Sequence, residues 1–124
     1  MAVAYLWFNS ALYLIFAVLC TLRVDKVTQA QGFLSIDSNG RCEYLTVYGG
    51  MELGFAAFFA ICALKAEYRS AGILFALCMY IGIVSYRSAC LLTLSDISVT
   101  TKVIAGLEVV LLIGAVLLFA RIIE

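Results

Sequence analysis

Four apolar segments, each about the length needed to cross a lipid bilayer, constrain this chain more than any other feature. They lie at about 2–22, 45–64, 71–92 and 100–120. The hydrocarbon core of a bilayer is about 30 Å thick, so a helix that rises about 1.5 Å per residue crosses it in roughly 20 residues. Hydrophobic residues make up 65% of the 124 residues, charged residues make up 13%, and proline is absent. Because soluble domains are only about 45–50% apolar, the sequence predicts an integral membrane protein with four spans.

The connections between these segments predict how the helices are arranged. Residues 23–44 form the only long connection, with a turn signal at Ser38-Asn39-Gly40, whereas 65–70 and 93–99 are short. Backbone polar groups find no partners in lipid, so each span must be a helix, and short connections make neighbouring helices antiparallel. We therefore predict an all-α, up-down-up-down four-helix membrane bundle that forms one transmembrane domain over residues 1–124.

The basic residues indicate the orientation of the bundle only weakly. Four spans place both termini on one side of the membrane, together with the short basic turn at 65–70. That side carries Lys65, Arg69 and Arg121, and the opposite side carries Arg23, Lys26, Arg41 and Lys102. The positive-inside rule hardly separates the two orientations. The basic turn favours cytoplasmic termini, and a dual topology stays open.

Three charged residues interrupt the apolar segments: Glu52, Arg87 and Glu108. A charge near the bilayer centre costs roughly 2.5–3.5 kcal/mol on insertion scales, so it must face the protein interior and find a partner. From the rise per residue, all three lie about 4 to 9 Å from the centres of their helices. Each displacement is toward the side of the 23–44 connection. This shared depth predicts a buried cluster of the three charges.

The predicted cluster has two carboxylates and one guanidinium. Either Arg41 or Lys102 reaches in from the 23–44 side, or one glutamate stays protonated because like charges repel in a low dielectric. A protonated glutamate would be a candidate proton carrier or cation site. The alternative is a structural clamp, since buried ion pairs also hold helices in one register. Both interpretations stay open, and they are compatible.

Polar side chains recur on the same helix faces as the charges. They precede the charged residues, or one another, by four or seven positions, which is the spacing of one helix face. These further candidates for a ligand, ion or proton site are Tyr48, Tyr80, Asn9 and Tyr13. Each of the four helices then contributes a polar face to the predicted interior of the bundle.

Glycines surround both glutamates. Gly49, Gly50 and Gly54 flank Glu52, and Gly106 lies two residues before Glu108. The G-x-x-x-G spacing of residues 50 and 54 permits close approach of helix backbones in a membrane. We therefore predict that these four glycines serve helix packing.

The composition argues against several other classes of protein. Histidine is absent, and none of the five cysteines forms a C-x-x-C pair, so no metal site and no cofactor are predicted. The net charge is zero, which gives no reason to expect a nucleic-acid partner. The expected partner is the lipid bilayer, and a homo-oligomer or a larger membrane complex stays open.

The start of the second span carries the stretch Glu43-Tyr44-Leu45-Thr46-Val47-Tyr48-Gly49-Gly50-Met51-Glu52-Leu53-Gly54. It resembles a bacterial family of small four-helix membrane proteins of unknown function. In that family an acidic–aromatic step precedes a Tyr-Gly-Gly-x-Glu-x-Gly core, an arginine lies late in the third helix, and a glutamate lies in the fourth. Arg87 and Glu108 match the last two places, and some members carry an arginine where Leu45 stands here. The family is similar to the wider DoxX-like group, and the resemblance implies a multi-pass protein of the bacterial inner membrane without implying an activity.

Three functions are compatible with these features. The first is a binding or accessory membrane protein whose polar cluster holds a lipid-like ligand or stabilises the bundle, and the absence of a catalytic constellation favours it over an enzyme. The second is a proton-coupled carrier similar to the small multidrug resistance transporters, which act as dimers, although their glutamate lies in the first helix, where this chain has Asn9. The third is an enzyme that acts on a lipid or quinone with Glu52 or Glu108 as general acid–base.

Overall fold

The computed structural model of the protein describes residues 1–33 and 35–123, and all regular structure in this part of the chain is helical. The α-helices are α1 (Ala2–Leu22), α2 (Val24–Ala30), α3 (Ser38–Tyr44), α4 (Glu52–Leu64), α5 (Arg69–Thr93) and α6 (Val99–Ile123). A π-helical segment, Leu45–Met51, joins α3 to α4, and a 3-10 turn, Ala66–Tyr68, precedes α5.

Four helical stretches of the described chain are long and apolar enough to cross a bilayer. They are Ala2–Leu22, Ser38–Leu64, Ala66–Thr93 and Val99–Ile122. The chain is therefore a multi-pass membrane protein. The predicted fold, an all-α, up-down-up-down four-helix membrane bundle, is confirmed.

The segment 23–44, interpreted from the sequence as a long loop, instead contains two short helices. The Asp37 side chain accepts a hydrogen bond from the backbone N–H of Gly40 at 2.8 Å, so it caps the first turn of α3. The polar stretch 38–40 therefore starts a helix and does not form a turn. Because α3 continues through the π-helical segment into α4, the second span begins at Ser38 and not at about residue 45.

The spans pack as two helical hairpins. The first hairpin pairs α1 with the π-helical segment and α4, and the second pairs α5 with α6, whereas contact between the hairpins is much less extensive. The main core joins them in the half of the bundle near the termini and is centred on Leu6, Phe59, Ile73, Ala76 and Ala115. The other half, toward segment 23–44, is left less tightly filled.

The glycines predicted to serve packing differ in their surroundings. A Cβ atom added to Gly49 would lie 2.9 Å from Oγ1 of Thr21, so this glycine allows α1 to approach the π-helical segment closely. A Cβ at Gly50, Gly54 or Gly106 would meet no heavy atom within 4 Å. No neighbouring helix of the described chain therefore packs closely on these three residues, and Gly106 borders a gap between α5 and α6. Their role in helix packing stays a prediction.

The close approach deepest in the core occurs at a different glycine. A Cβ on Gly72 in α5 would lie 2.7 Å from Cβ of Cys62 and 2.9 Å from Cδ2 of Leu6. These neighbours belong to the first hairpin, so Gly72 sets the distance between the two hairpins. Gly72 is not part of a G-x-x-x-G pattern, so the spacing of the glycines does not predict its role.

Candidate functional site

A cavity of about 450 Å³ lies between the two hairpins in the half of the bundle toward segment 23–44. All four spans and the residues after α2 contribute to its wall. The lining residues are Leu12, Tyr13, Phe16, Cys20, Gln31, Phe33, Tyr48, Glu52, Tyr80, Ile83, Arg87, Thr101, Ile104, Leu107, Glu108 and Leu111. The volume lies within the range of about 300–1,000 Å³ that small-molecule sites occupy. The weak packing between the hairpins therefore leaves room for a ligand inside the membrane-spanning region.

Arg87 and Glu108 form a bidentate ion pair across the second hairpin. Nε of Arg87 donates to Oε2 of Glu108, and Nη2 donates to Oε1 at 2.8 Å. The side chains are 32% and 13% exposed, so the pair is largely shielded. Two parallel charge-assisted bonds hold both groups in fixed orientation. The positive charge of Arg87 is therefore already neutralised within the chain.

The same ion pair also borders a smaller cavity of about 150 Å³ between α5 and α6. Apolar and small residues form most of its wall, including Val84, Leu91 and Val109. Arg87 and Glu108 line both spaces. The ion pair therefore separates the main cavity from the smaller cavity between α5 and α6.

Glu52 lines the main cavity but stands apart from this pair. Its Oε2 atom is buried and has no hydrogen-bond partner among the described residues. Within residues 1–33 and 35–123, no cationic group lies within 4.0 Å of its carboxylate. The three charges predicted to form one cluster thus divide into an ion pair and a separate acid in one cavity.

The two basic residues considered as further partners lie elsewhere. Nη1 of Arg41 contacts Oδ1 of Asp25 at 2.9 Å, and both side chains are exposed. Lys102 is exposed on α6 and has no ion-pair partner in the described part of the chain. Neither residue lines the cavity, so the suggestion that one of them balances the second glutamate is corrected.

A hydrogen-bonded chain of buried polar groups forms the floor of the cavity. The hydroxyl of Tyr13 donates to the hydroxyl of Tyr80 at 3.3 Å, which donates to Oδ1 of Asn9 at 2.5 Å. Nδ2 of Asn9 in turn donates to the carbonyl of Tyr5 at 2.9 Å. Tyr13 and Tyr80 line the cavity, whereas Asn9 lies behind them and holds the Tyr80 hydroxyl. This chain links the first and third spans and fixes two hydroxyl groups at the cavity wall.

The π-helical segment brings Tyr48 and Glu52 to the same cavity. Tyr48 lies within the segment, and its ring stacks on that of Tyr44 with centroids 4.7 Å apart. Glu52 is the first residue after the segment. A π-helix has a wider turn than an α-helix and occurs frequently at functional sites. The wider turn changes which side chains face inward, so the rotation of Glu52 could not be obtained from α-helical spacing.

Gln31 and Phe33, which are not among the residues predicted from the sequence, form a cover over the cavity. Helix α2 ends at Ala30, and Gly32 follows with φ +90°. The backbone N–H groups of Gly32 and Phe33 donate to the carbonyls of Gln29 and Thr28, which is the Schellman arrangement that commonly ends a helix. This turn directs the residues on either side of Gly32 to the cavity. The sequence does contain one signal for this turn, since Gly32 is a residue typical of a helix end, but it lies in a segment interpreted from the sequence as a loop.

The cover is fixed to the bundle by a second small core. Its buried members are Cys20, Val24 and Tyr44, from α1, α2 and α3 respectively. The exposed Arg41–Asp25 ion pair links α3 to α2 on the outside. Because both short helices pack on the end of α1, the cover is anchored on two sides.

The chemical character of the cavity is amphipathic. Carboxylate, guanidinium and hydroxyl groups lie beside apolar side chains such as Leu12, Ile83 and Ile104. No group of three or more Cys, Asp or Glu side chains within the described residues is arranged to share a metal ion. The functional groups available to a ligand are the free carboxylate of Glu52 and the tyrosine hydroxyls. Comparison with protein-family models, with curated proteins and with solved structures finds no match to the chain.

Proposed function

We propose that the protein binds a small, lipid-like amphipathic molecule in the cavity between its two hairpins and acts as a binding or accessory membrane protein. The observation that carries this proposal is the free, buried carboxylate oxygen of Glu52 in a cavity of about 450 Å³ with largely apolar walls. Buried polar atoms in folded proteins nearly always have a partner. A ligand with a polar head and an apolar body would supply that partner and fill the space.

The arrangement of the charges favours binding over acid–base catalysis. Glu108 is committed to two hydrogen bonds with Arg87, so it is not free to exchange a proton with a substrate. Glu52 is then the one carboxylate available in the cavity. A general acid–base mechanism usually needs a second positioned group. The hydroxyls of Tyr13 and Tyr80 are bonded to each other and to Asn9, and the third tyrosine of the lining, Tyr48, is not positioned by a side-chain hydrogen bond within the described residues.

A proton-coupled carrier is the second candidate, and the free carboxylate of Glu52 is the observation that favours it. Proton coupling needs an acid that alternates between a protonated and an ionised state, and membrane-embedded carboxylates serve this purpose in transporters. Such a carrier would resemble the small multidrug resistance transporters in having four helices and would work as a dimer. Transport into proteoliposomes, driven by an imposed proton gradient and abolished in Glu52→Gln, would favour this function.

The location and family follow as parts of the same proposal. The Tyr48–Gly54 motif supports a place in the bacterial family of small four-helix membrane proteins, close to the DoxX-like group. That place implies the bacterial inner membrane, and the basic turn at 65–70 favours cytoplasmic termini. Labelling of the exposed Cys42 from one side of intact spheroplasts would test the orientation, since Cys42 lies on the side opposite the termini.

The binding proposal is tested by filling the cavity. Ile104→Trp places a large side chain in the cavity wall, and the matched control Val103→Trp changes the adjacent residue of α6, which is 66% exposed toward the lipid. Wild type and the control are expected to retain a small molecule through purification in detergent, detected by native mass spectrometry. Ile104→Trp is expected to lose it. Equal retention by both variants would mean that the molecule binds elsewhere.

A further inference from the structure

The charges of the main cavity do not balance. The lining contains one guanidinium, on Arg87, and two carboxylates, on Glu52 and Glu108. Arg87 is occupied by the bidentate contact with Glu108. A ligand therefore meets one free acidic group and no free cationic group among the lining residues.

Aromatic side chains surround the space in which this acid lies. Tyr13, Phe16, Phe33, Tyr48 and Tyr80 all line the cavity. They come from three of the four spans and from the cover after α2. Aromatic rings attract organic cations through the negative potential of their faces, and this attraction is strongest where water is excluded.

The same features disfavour an anionic ligand. A carboxylate or phosphate would have to compete with Glu108 for Arg87, and breaking a bidentate ion pair leaves a buried charge uncompensated. It would also lie in one cavity with the free carboxylate of Glu52, and like charges repel strongly where the dielectric is low. A neutral ligand avoids this repulsion but does not balance the acid.

We infer that the cavity selects an organic ammonium ion, with its amine head at Glu52 and its apolar body against the aromatic and aliphatic walls. This inference rests on the proposed binding function and specifies the class of ligand. An ammonium N–H supplies the hydrogen bond that Oε2 of Glu52 lacks within the described chain. The positive charge balances the cavity, and the aromatic rings contact the carbons next to the nitrogen.

The inference is tested with three probes that share one apolar chain: octylamine, octanol and octanoate. Binding to the purified protein in a neutral maltoside detergent is measured by the change in melting temperature across a concentration series. Octylamine is expected to bind wild type at least tenfold more tightly than either of the other probes. Glu52→Gln keeps the shape of the side chain and is expected to weaken octylamine binding about tenfold or more, with octanol binding unchanged.

The cavity-filling variant separates failure of this inference from failure of the binding function. If octanol or octanoate binds wild type as tightly as octylamine, and Ile104→Trp abolishes that binding, the cavity binds ligands but the ammonium assignment is overturned. Octylamine binding that is equal in wild type and Glu52→Gln overturns it as well. If Ile104→Trp binds every probe as wild type does, or if no probe binds, both the inference and the cavity-binding proposal fail.

A final comparison identifies the source of the ammonium group. The protein is placed in nanodiscs of phosphatidylglycerol alone or of phosphatidylglycerol with phosphatidylethanolamine, and octylamine binding is measured in each. If phosphatidylethanolamine competes for the cavity, the same suppression is expected in wild type and in Val103→Trp, because Val103 lies outside the cavity. Any octylamine signal that remains in Ile104→Trp, whose cavity is filled, is expected to be the same in both lipid compositions, which excludes an effect of the bilayer surface alone. Suppression assigns the site to a lipid headgroup, and equal binding assigns it to a free amine.

Discussion

Glu52 and Glu108 line the same cavity, but only one of them is held by the protein. Glu108 accepts two hydrogen bonds from Arg87, whereas Oε2 of Glu52 has no partner in the described chain. Removing a paired charge lowers stability, since it leaves the other member of the pair uncompensated, whereas removing an isolated buried charge does not. The residues therefore separate into one structural pair and one acid available to a ligand.

Arg87→Ala is predicted to destabilise the protein by about 3 kcal/mol, the lower end of the range for a broken buried pair, because Arg87 is partly exposed. The loss comes from leaving the carboxylate of Glu108 unpaired in the bundle. Unfolding in mixed detergent measures the change. The double variant Arg87→Met with Glu108→Leu is the control, and it is expected to recover most of the lost stability because no charge is left alone. A melting temperature of Arg87→Ala within error of wild type would show that the pair does not hold the fold.

Glu52→Gln is predicted to be at least as stable as wild type, whereas Glu108→Gln is predicted to be less stable. The amide removes an unpaired charge at residue 52, but at residue 108 it removes half of a bidentate ion pair. Both variants keep the size of the side chain, so the comparison isolates the charge. Thermal unfolding of the two variants side by side in one detergent measures the difference. Equal destabilisation of both would place Glu52 in the structural network.

At the scale of the helices, the two hairpins approach each other most closely at Gly72, where an added Cβ would lie 2.7 Å from Cβ of Cys62, and less closely at Gly114, where it would lie 2.9 Å from the ring of Tyr5. Gly72→Ala is predicted to destabilise the protein by about 1–3 kcal/mol, the usual cost of overpacking a filled core. Gly82→Ala is the control on the same helix, since a Cβ there meets no heavy atom within 4 Å. That control is expected to gain up to about 1 kcal/mol of stability from the higher helix propensity of alanine. Unfolding measurements are therefore expected to show changes of opposite sign in the free energy of unfolding of the two variants.

The end of α2 determines how the cover lies over the cavity. Gly32→Ala is predicted to loosen the cover, because a φ of +90° strains any residue with a Cβ by about 1–2 kcal/mol. Gly32→Asn is the control, since asparagine tolerates this region better. Hydrogen exchange of the amides in α2 is expected to be faster in the alanine variant than in the asparagine variant, with the four spans unchanged. Equal exchange in the two variants would mean that the turn does not hold the cover.

These elements also show what a membrane sequence can and cannot predict. The four spans follow from apolar length, and the need of Arg87 for a carboxylate follows from its position inside a span, since lipid offers no counter-ion. The lining of the cavity does not follow, because the lipid-facing and interior sides of a membrane helix are both apolar. Val103 and Ile104 are alike in chemistry, yet only Ile104 lines the cavity. The separation of Glu52 from the ion pair could not be predicted from the sequence either. The position of a residue in its span gives its depth in the membrane, whereas the π-helical segment changes the direction in which the Glu52 side chain leaves the helix axis.

At the scale of the whole molecule, one chain supplies the lining residues of the cavity from all of its spans. All four spans and the cover contribute lining residues, so a single chain forms a cavity of ligand size. The protein is therefore predicted to bind its ligand as a monomer, with one molecule of ligand for each chain. Native mass spectrometry over a range of protein-to-detergent ratios measures the ligand carried by each oligomeric state. The expected result is the same occupancy per chain in monomers and in any larger species. Occupancy found only in dimers would instead favour the proton-coupled carrier, in which two copies enclose the pathway.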